Sequence, residues 1–316
     1  QALAQVDLRQ EWDGQPADAL IALHARRSAA SIERFRRLRP GRPIVLVLTG
    51  TDVYRDIDTD PDARRSLALA DRIVCLQPLA IRRLDTSLQS KAVAIVQGAK
   101  PLERAIARQP GHFVAVGHLR SEKDPLTLMR AVRRLPGRLH VLHIGAALDE
   151  SLAAAARALM RDCPNYQWSG AMAHDSVRER IASATALVHM SRLEGGANVV
   201  VEAIVSGTPV IASRIDGNVG LLTELYAGYF PVGDSDALAA LMIRCDAEPE
   251  FAALLSQQCA RLAPAFTDVA EGERLRRLLA GCLGGGGGAA STPGLGGLPS
   301  NDSSRGPAPD SDQSST

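Results

Sequence analysis

Up to about residue 280, apolar positions come in short unbroken runs instead of strict alternation. Residues 18–23 (DALIAL), 44–48 (IVLVL), 72–76 (RIVCL) and 93–96 (VAIV) each have the length and continuity of a buried strand. A second series follows at 112–116, 139–144, 186–190 and 209–212. Residues 5–10 are read as a further strand at the start. Between these runs lie amphipathic stretches, which predict helices over 28–39, 125–135, 152–160, 176–184 and 198–206, the first with Ser28 as its N-cap. Strands that are apolar throughout, separated by helices, imply parallel sheets covered on both faces.

The rhythm breaks between residues 97 and 112, where Gly98, Pro101, Pro110 and Gly111 accumulate, and then restarts. This divides the chain into a domain over 1–105 and a second over 106–264. From residue 283 to 316 the composition turns to glycine, serine, proline and aspartate. Such a segment cannot bury enough apolar area to offset its ordering entropy, so a disordered tail is expected.

Composition narrows the possible functions. The 316 residues carry a net charge of +1 and are 46% hydrophobic, as in an ordinary globular chain. Without a basic excess and with only 3% aromatics, the chain is not expected to bind nucleic acid. No apolar run approaches the ~20 residues of a membrane span, which argues against stable membrane association. The five cysteines (Cys75, Cys163, Cys245, Cys259, Cys282) lack CxxC spacing and are odd in number. They fit a reducing compartment better than a disulfide framework or a zinc site, so a cytoplasmic location is expected.

The chemistry concentrates in SRLEGGANVVVEAIVSGTPVIAS, residues 191–213. Glu194 and Glu202 stand eight apart. Gly195, Gly196 and Ala197 lead into a helix starting at Asn198. Glycines permit close backbone approach to a ligand, and a helix N-terminus favours a diphosphate. Two carboxylates flanking that turn can accept hydrogen bonds from vicinal hydroxyls. The block resembles the E-x7-E motif of GT-B glycosyltransferases, which use nucleotide-sugar donors. That resemblance implies an α/β fold of two Rossmann-like parallel-sheet domains facing a cleft. It also implies Glu202 on the ribose hydroxyls and Glu194 on the donor sugar. Residues 116–125 (VGHLRSEKDP) resemble the family's strand-end G-R-L-x-x-x-K-G segment. Lys123 then takes the place of the diphosphate-binding lysine, and Gly117 lines the donor. His118 stands where the family has arginine, with Arg120 as a substitute charge. Gly145 corresponds to the nucleotide-facing glycine, and Gly217-Asn218 to the loop after the donor helix. The family's C-terminal residues return to the first domain, a role that falls here on 265–282 with its amphipathic ERLRRLL (273–279). No aspartate pair with a nearby histidine is apparent. Neither metal nor cofactor is therefore expected, only a UDP-sugar as donor substrate.

In the first domain two strand ends stand out. LHARRS (23–28) places His24, Arg26, Arg27 and a helix start together, suiting a small oxyanion. TGTD (49–52) adds Thr49, Gly50, Thr51 and Asp52 at the neighbouring strand end. In the family, a histidine at a strand end like that of His24 reaches the donor sugar. Residues 11–57, 74–77 and 116–125 further resemble the selenosugar synthases of selenoneine biosynthesis, over most of 11–282. That resemblance implies transfer of N-acetylglucosamine or glucose from a UDP-sugar to selenophosphate. Arg26 and Arg27 would hold the acceptor's phosphate oxygens, with His24, Lys123 and Glu194 at the reacting centre. Against that family the chain opens at what reads as the second strand, and the family's first strand, loop and helix do not appear in it. An ordinary hydroxyl acceptor, or a non-catalytic nucleotide-sugar-binding remnant, remain alternatives.

Overall fold

The computed structural model describes residues 5–102 and 106–284. The first half of the chain forms β1 (Leu20–Leu23), α1 (Ala29–Leu38), β2 (Ile44–Leu48), a π-helical turn (Asp52–Asp56), α2 (Ile57–Thr59), α3 (Pro61–Leu69), β3 (Arg72–Cys75), α4 (Thr86–Gln89) and β4 (Ala92–Ala94). The second half forms β5 (Gln109–Val116), α5 (Pro125–Val132), β6 (His140–Ile144), α6 (Glu150–Asp162), β7 (Tyr166–Gly170), α7 (His174–Ser183) and β8 (Ala184–His189). It continues with α8 (Asn198–Val205), β9 (Val210–Ser213), α9 (Asp216–Leu222), β10 (Tyr229–Phe230), α10 (Ser235–Ala247), α11 (Pro249–Leu262) and α12 (Asp268–Gly284).

The strands make two all-parallel sheets, ordered β1-β2-β3-β4 and β10-β9-β8-β5-β6-β7. This is the α/β architecture of two Rossmann-like domains, the GT-B fold. On one face of the first sheet, Ile44, Leu46, Leu48, Ile73 and Cys75 pack with Ile32 and Phe35 of α1 and Ala63 and Leu67 of α3. On the other face, Val45 and Val74 pack with Ile95 beneath Leu275, Leu278, Leu279 and Cys282 of α12. The last helix thus lies on the first sheet. Its crossing is tied down where the Ala99 amide donates to the Phe266 carbonyl at 2.9 Å and the Gly98 amide to Glu271 at 2.8 Å.

The second sheet fixes where a ligand can sit. From central β5 the chain winds outward to β6 and β7, then returns to the other side of β5 as β8, β9 and β10. The winding direction reverses between β5 and β8. In doubly wound sheets the crevice at such a reversal, beyond the carboxyl ends of the strands, is the binding position.

Several expectations change. Residues 5–10 form no strand, and Val6 and Leu8 are exposed. Alternating apolar residues do not make a strand unless a neighbour takes up their backbone hydrogen bonds. Ser28 sits before α1 but makes no capping bond, and its hydroxyl instead donates to the Leu23 carbonyl at 2.6 Å. The Gly217-Asn218 pair lies inside the short helix α9, not in a loop. β7 and the helices α3, α10 and α11 were not anticipated from the apolar pattern. The expected disordered tail lies outside the described residues from 285 onward. No helix among the described residues is long and apolar enough to cross a membrane.

Candidate donor and acceptor site

Two loops from either side of the reversal build the centre of the site. After β5, the chain turns through Gly117 and His118 to a short 3-10 turn (Ser121–Lys123). Asp124 closes that turn in the left-handed region (φ +45°) and accepts from the Thr127 hydroxyl at 2.8 Å. After β8, residues 190–197 lead into α8. Arg192 ties the two loops together. Its amide donates to the Glu122 carbonyl at 2.8 Å, and its guanidinium pairs with buried Asp124 at 3.0 Å. The result is that Lys123 Nζ lies 2.5 Å from Glu194 Oε1. Burial alone would push the Glu194 carboxyl up. The His189 imidazole, 3.4 Å from its Oε1, together with the Lys123 ammonium outweighs it and holds the group well below the usual carboxylate range.

Gly145 follows β6 with φ +154°, and a Cβ there would sit 2.0 Å from the Gly117 carbonyl oxygen. The β5 and β6 strand ends can meet this closely only at glycine. His118 is exposed, and its Nδ1 accepts from the Ala146 amide at 3.0 Å. It braces the β6 loop.

Glu202 is separated from Glu194. Its side chain is buried on α8, 5% exposed as a residue, and its Oε1 contacts Nε2 of exposed His174 at 2.7 Å. The cleft between the lobes, a cavity of about 390 Å³, is lined by Leu23, His24, Arg27, Thr49, Gly50, Thr51, Arg120, Glu122, Leu193 and Glu194. Glu202 and Asn198 do not line it. The room left by the glycines after Glu194 serves another purpose than the sequence suggests. A Cβ on Gly195 would lie 2.4 Å from the Gly50 amide nitrogen, and one on Gly196 2.6 Å from Leu76 Cβ. It is the first domain that approaches the E-G-G turn here.

On the first-domain side, β1 and β2 pair with Leu23 opposite Val47, so their carboxyl ends lie side by side. This register joins His24 to the TGTD turn. His24 adopts φ +73°, a strained backbone for a residue with a Cβ, and is buried. Its Nδ1 lies 2.5 Å from Asp52 Oδ1 and its Nε2 3.1 Å from the Thr51 hydroxyl. The Thr49 amide donates to the other Asp52 oxygen at 2.7 Å. Burial pushes the Asp52 carboxyl up to about 6, whereas burial together with Arg27 lowers His24.

Two expectations from the sequence need amending. Arg26 does not line the cleft, because its guanidinium pairs with Asp56 at 3.0 Å. Only Arg27, with Arg120 from the opposite loop, brings a guanidinium to it. An aspartate pair beside a histidine does exist, since His24, Asp52 and Asp56 place one ligand atom each within 4.8 Å of one another. Strand pairing brings together what lies 28 to 32 positions apart in sequence. Arg26 and Arg55 occupy Asp56 at 3.0 and 3.2 Å, so the cluster already has cationic partners. His174 and His189, which touch the two glutamates, were missed. Neither belongs to a short-range pattern that would reveal it.

The charge of Asp52 makes a testable contribution to stability. Its folded-state value lies above the ordinary 3.8, so the folded chain holds the proton more tightly. The stability gained is complete below about pH 4 and is lost as pH rises through 6. A shift from 3.8 to about 6 corresponds to a loss on the order of 3 kcal/mol at neutral pH. Asp52→Asn is therefore expected to be more stable relative to wild type at pH 7.5 than at pH 4, by up to that amount in urea unfolding. An identical difference at both pH values would refute the assignment.

Comparison with known proteins agrees with this architecture. Residues 110–247 match the family model described as "Glycosyl transferases group 1". No curated protein sequence matches the chain. Among solved structures, the chain is similar to Anabaena HepE in complex with UDP-glucose, at 16% identity and TM-score 0.69, covering 83% of this chain and 78% of that one. It is similar to sucrose-phosphate synthase from Thermosynechococcus elongatus at 21% identity and TM-score 0.65, covering 83% and 74%. It is also similar to a S. aureus TarM variant in complex with Fondaparinux, alpha-GlcNAc-glycerol and UDP, at 13% identity and TM-score 0.66, covering 82% of this chain. The chain spans 55% of the length of TarM.

Proposed function

We propose that this chain is a UDP-sugar-dependent glycosyltransferase that moves glucose or N-acetylglucosamine to selenophosphate, making a selenosugar for selenoneine biosynthesis. The observation that carries the donor half is Glu194, paired with Lys123 at the sheet reversal and lining the same cleft as His24 and Arg27. The group 1 match over 110–247 and the UDP-bound structural neighbours support the same half. The acceptor half rests on the resemblance of residues 11–57 to selenosugar synthases and on the chemistry of the cleft.

In this reading the donor diphosphate sits over the β5–α5 turn. Lys123 neutralises the charge that develops as the C1–O bond breaks and its electron pair leaves with UDP. Glu194 orients the sugar hydroxyls and Glu202 the ribose. Selenophosphate brings its selenium to C1 with its phosphate oxygens on Arg27 and Arg120. A selenium lone pair forms the new C1–Se bond, giving a glycosyl selenophosphate, and hydrolysis of its P–Se bond passes the phosphoryl group to water and leaves the selenosugar. That selenium is already anionic, so no strong base is needed to activate it. His24 faces the same cleft and helps seat the two substrates.

The direct test is mass spectrometry after incubation with UDP-glucose or UDP-N-acetylglucosamine and selenophosphate. A selenium-bearing sugar should appear only when both substrates are present. UDP release that depends on a hydroxyl acceptor, without any selenium product, would point to an ordinary acceptor instead. Arg27→Ala should raise the KM for selenophosphate by about 10- to 100-fold, the worth of one charge-assisted contact, while leaving the KM for the UDP-sugar within about threefold. An equal rise in both would remove Arg27 from the acceptor site.

A further inference from the structure

We infer that His189 is a positioning residue, a buried imidazole whose Nε2–H holds the Glu194 carboxylate toward the donor sugar. The inference rests on the reading of Glu194 as a sugar-binding group. His189 ends the strand ATALVH, where every other interior position is aliphatic or small, and it is 2% exposed. Burying an imidazole is costly unless its polar edge is used. Its Nε2 lies 3.4 Å from Glu194 Oε1 and 3.3 Å from the Ser191 hydroxyl. Its Nδ1 is buried without a hydrogen-bond partner. The ring is therefore oriented by one edge only, the edge that meets Glu194.

Such a support is needed because the packing fixes only the backbone. Close contacts with Gly50, Leu76 and Gly217 place the Glu194 turn, but the side-chain torsions that aim its carboxylate need partners of their own. Lys123 also holds it, but that ammonium comes from another loop and shares its three donors with a diphosphate when one is bound. His189 stands on the rigid central sheet and does not have to move. Groups held by such outer partners lose precision when the partner is removed, even though the partner touches no ligand.

The consequence is selective. UDP lacks the sugar that Glu194 orients, whereas UDP-glucose carries it. His189→Leu should weaken UDP-glucose binding about tenfold and leave UDP binding within about twofold, measured by calorimetry on the full chain. His189→Gln places an amide N–H near the position of Nε2 and should retain affinity within about threefold of wild type. His189→Asn places its amide near Nδ1 and should behave like His189→Leu. In a Glu194→Ala background, His189→Leu should have no further effect on UDP-glucose. The inference is overturned if UDP and UDP-glucose weaken together, if Asn rescues as well as Gln, or if the effect persists without Glu194. If His189→Leu does not fold, the Gln and Asn variants decide between these outcomes. Wild-type protein that binds neither UDP nor UDP-glucose would instead refute the donor-site reading beneath the inference.

Discussion

Glu202→Ala is expected to weaken UDP and UDP-sugar binding together, by about 10²- to 10³-fold. The carboxylate is buried near the start of α8 and contacts exposed His174 at 2.7 Å. It stands one turn into an apolar helix that otherwise presents Val200, Val201, Ala203 and Ile204 to the core. Two ribose hydroxyls donating to a carboxylate are each worth about 1.5–3 kcal/mol as charge-assisted bonds. Losing both therefore corresponds to at least two powers of ten in Kd. Because UDP and UDP-sugar share the ribose, both should fall by the same factor. This distinguishes Glu202 from His189, whose loss should be felt only when the sugar is present. Calorimetric titration with UDP and with UDP-glucose checks it, and unchanged affinity for both would take the ribose away from α8.

Lys123→Met is expected to lower the rate of transfer by about 10²- to 10³-fold, the scale on which removing one preorganised electrostatic donor acts. An ammonium has three donors, so Lys123 can retain Glu194 while engaging a diphosphate. The substitution has a second signature. Glu194 is kept below the ordinary carboxylate range against the effect of burial, and Lys123 is one of the two groups responsible. With methionine in its place, burial gains ground and the Glu194 value rises. In the proposed role Glu194 works as a carboxylate, so its protonation sets the acid limb of kcat. The acid limb of kcat against pH should therefore move to higher pH in the variant. Lys123→Arg keeps the charge and should restore most of this limb. A Lys123→Met enzyme with wild-type kcat and an unmoved acid limb would dissociate Lys123 from both the leaving group and Glu194.

The fold and the strand–turn–helix that carries Glu194 and Glu202 could be read from local order because their signals are short-range. Unbroken apolar runs such as IVLVL, buried on both faces, announce parallel strands without any knowledge of their neighbours. The spacing of Glu194 and Glu202 across a strand–turn–helix junction likewise needs only nine consecutive positions. Residues 5–10 failed the same test because a strand exists only when another strand accepts its hydrogen bonds, and none does so here. Contacts between distant segments lay beyond any pattern. Arg26 and Arg27 are adjacent and chemically alike, yet Asp56, 30 positions from Arg26, captures one and leaves the other facing the cleft. The β1–β2 register sets His24 on Asp52, and the reversal between β5 and β8 sets Lys123 on Glu194 and His189 beneath it. Burial and charge at each of these groups depend on which partner the packed chain delivers to within a few ångströms. Side-chain roles are thus settled by folding, whereas strands, turns and the spacing of the glutamates are written in neighbouring residues.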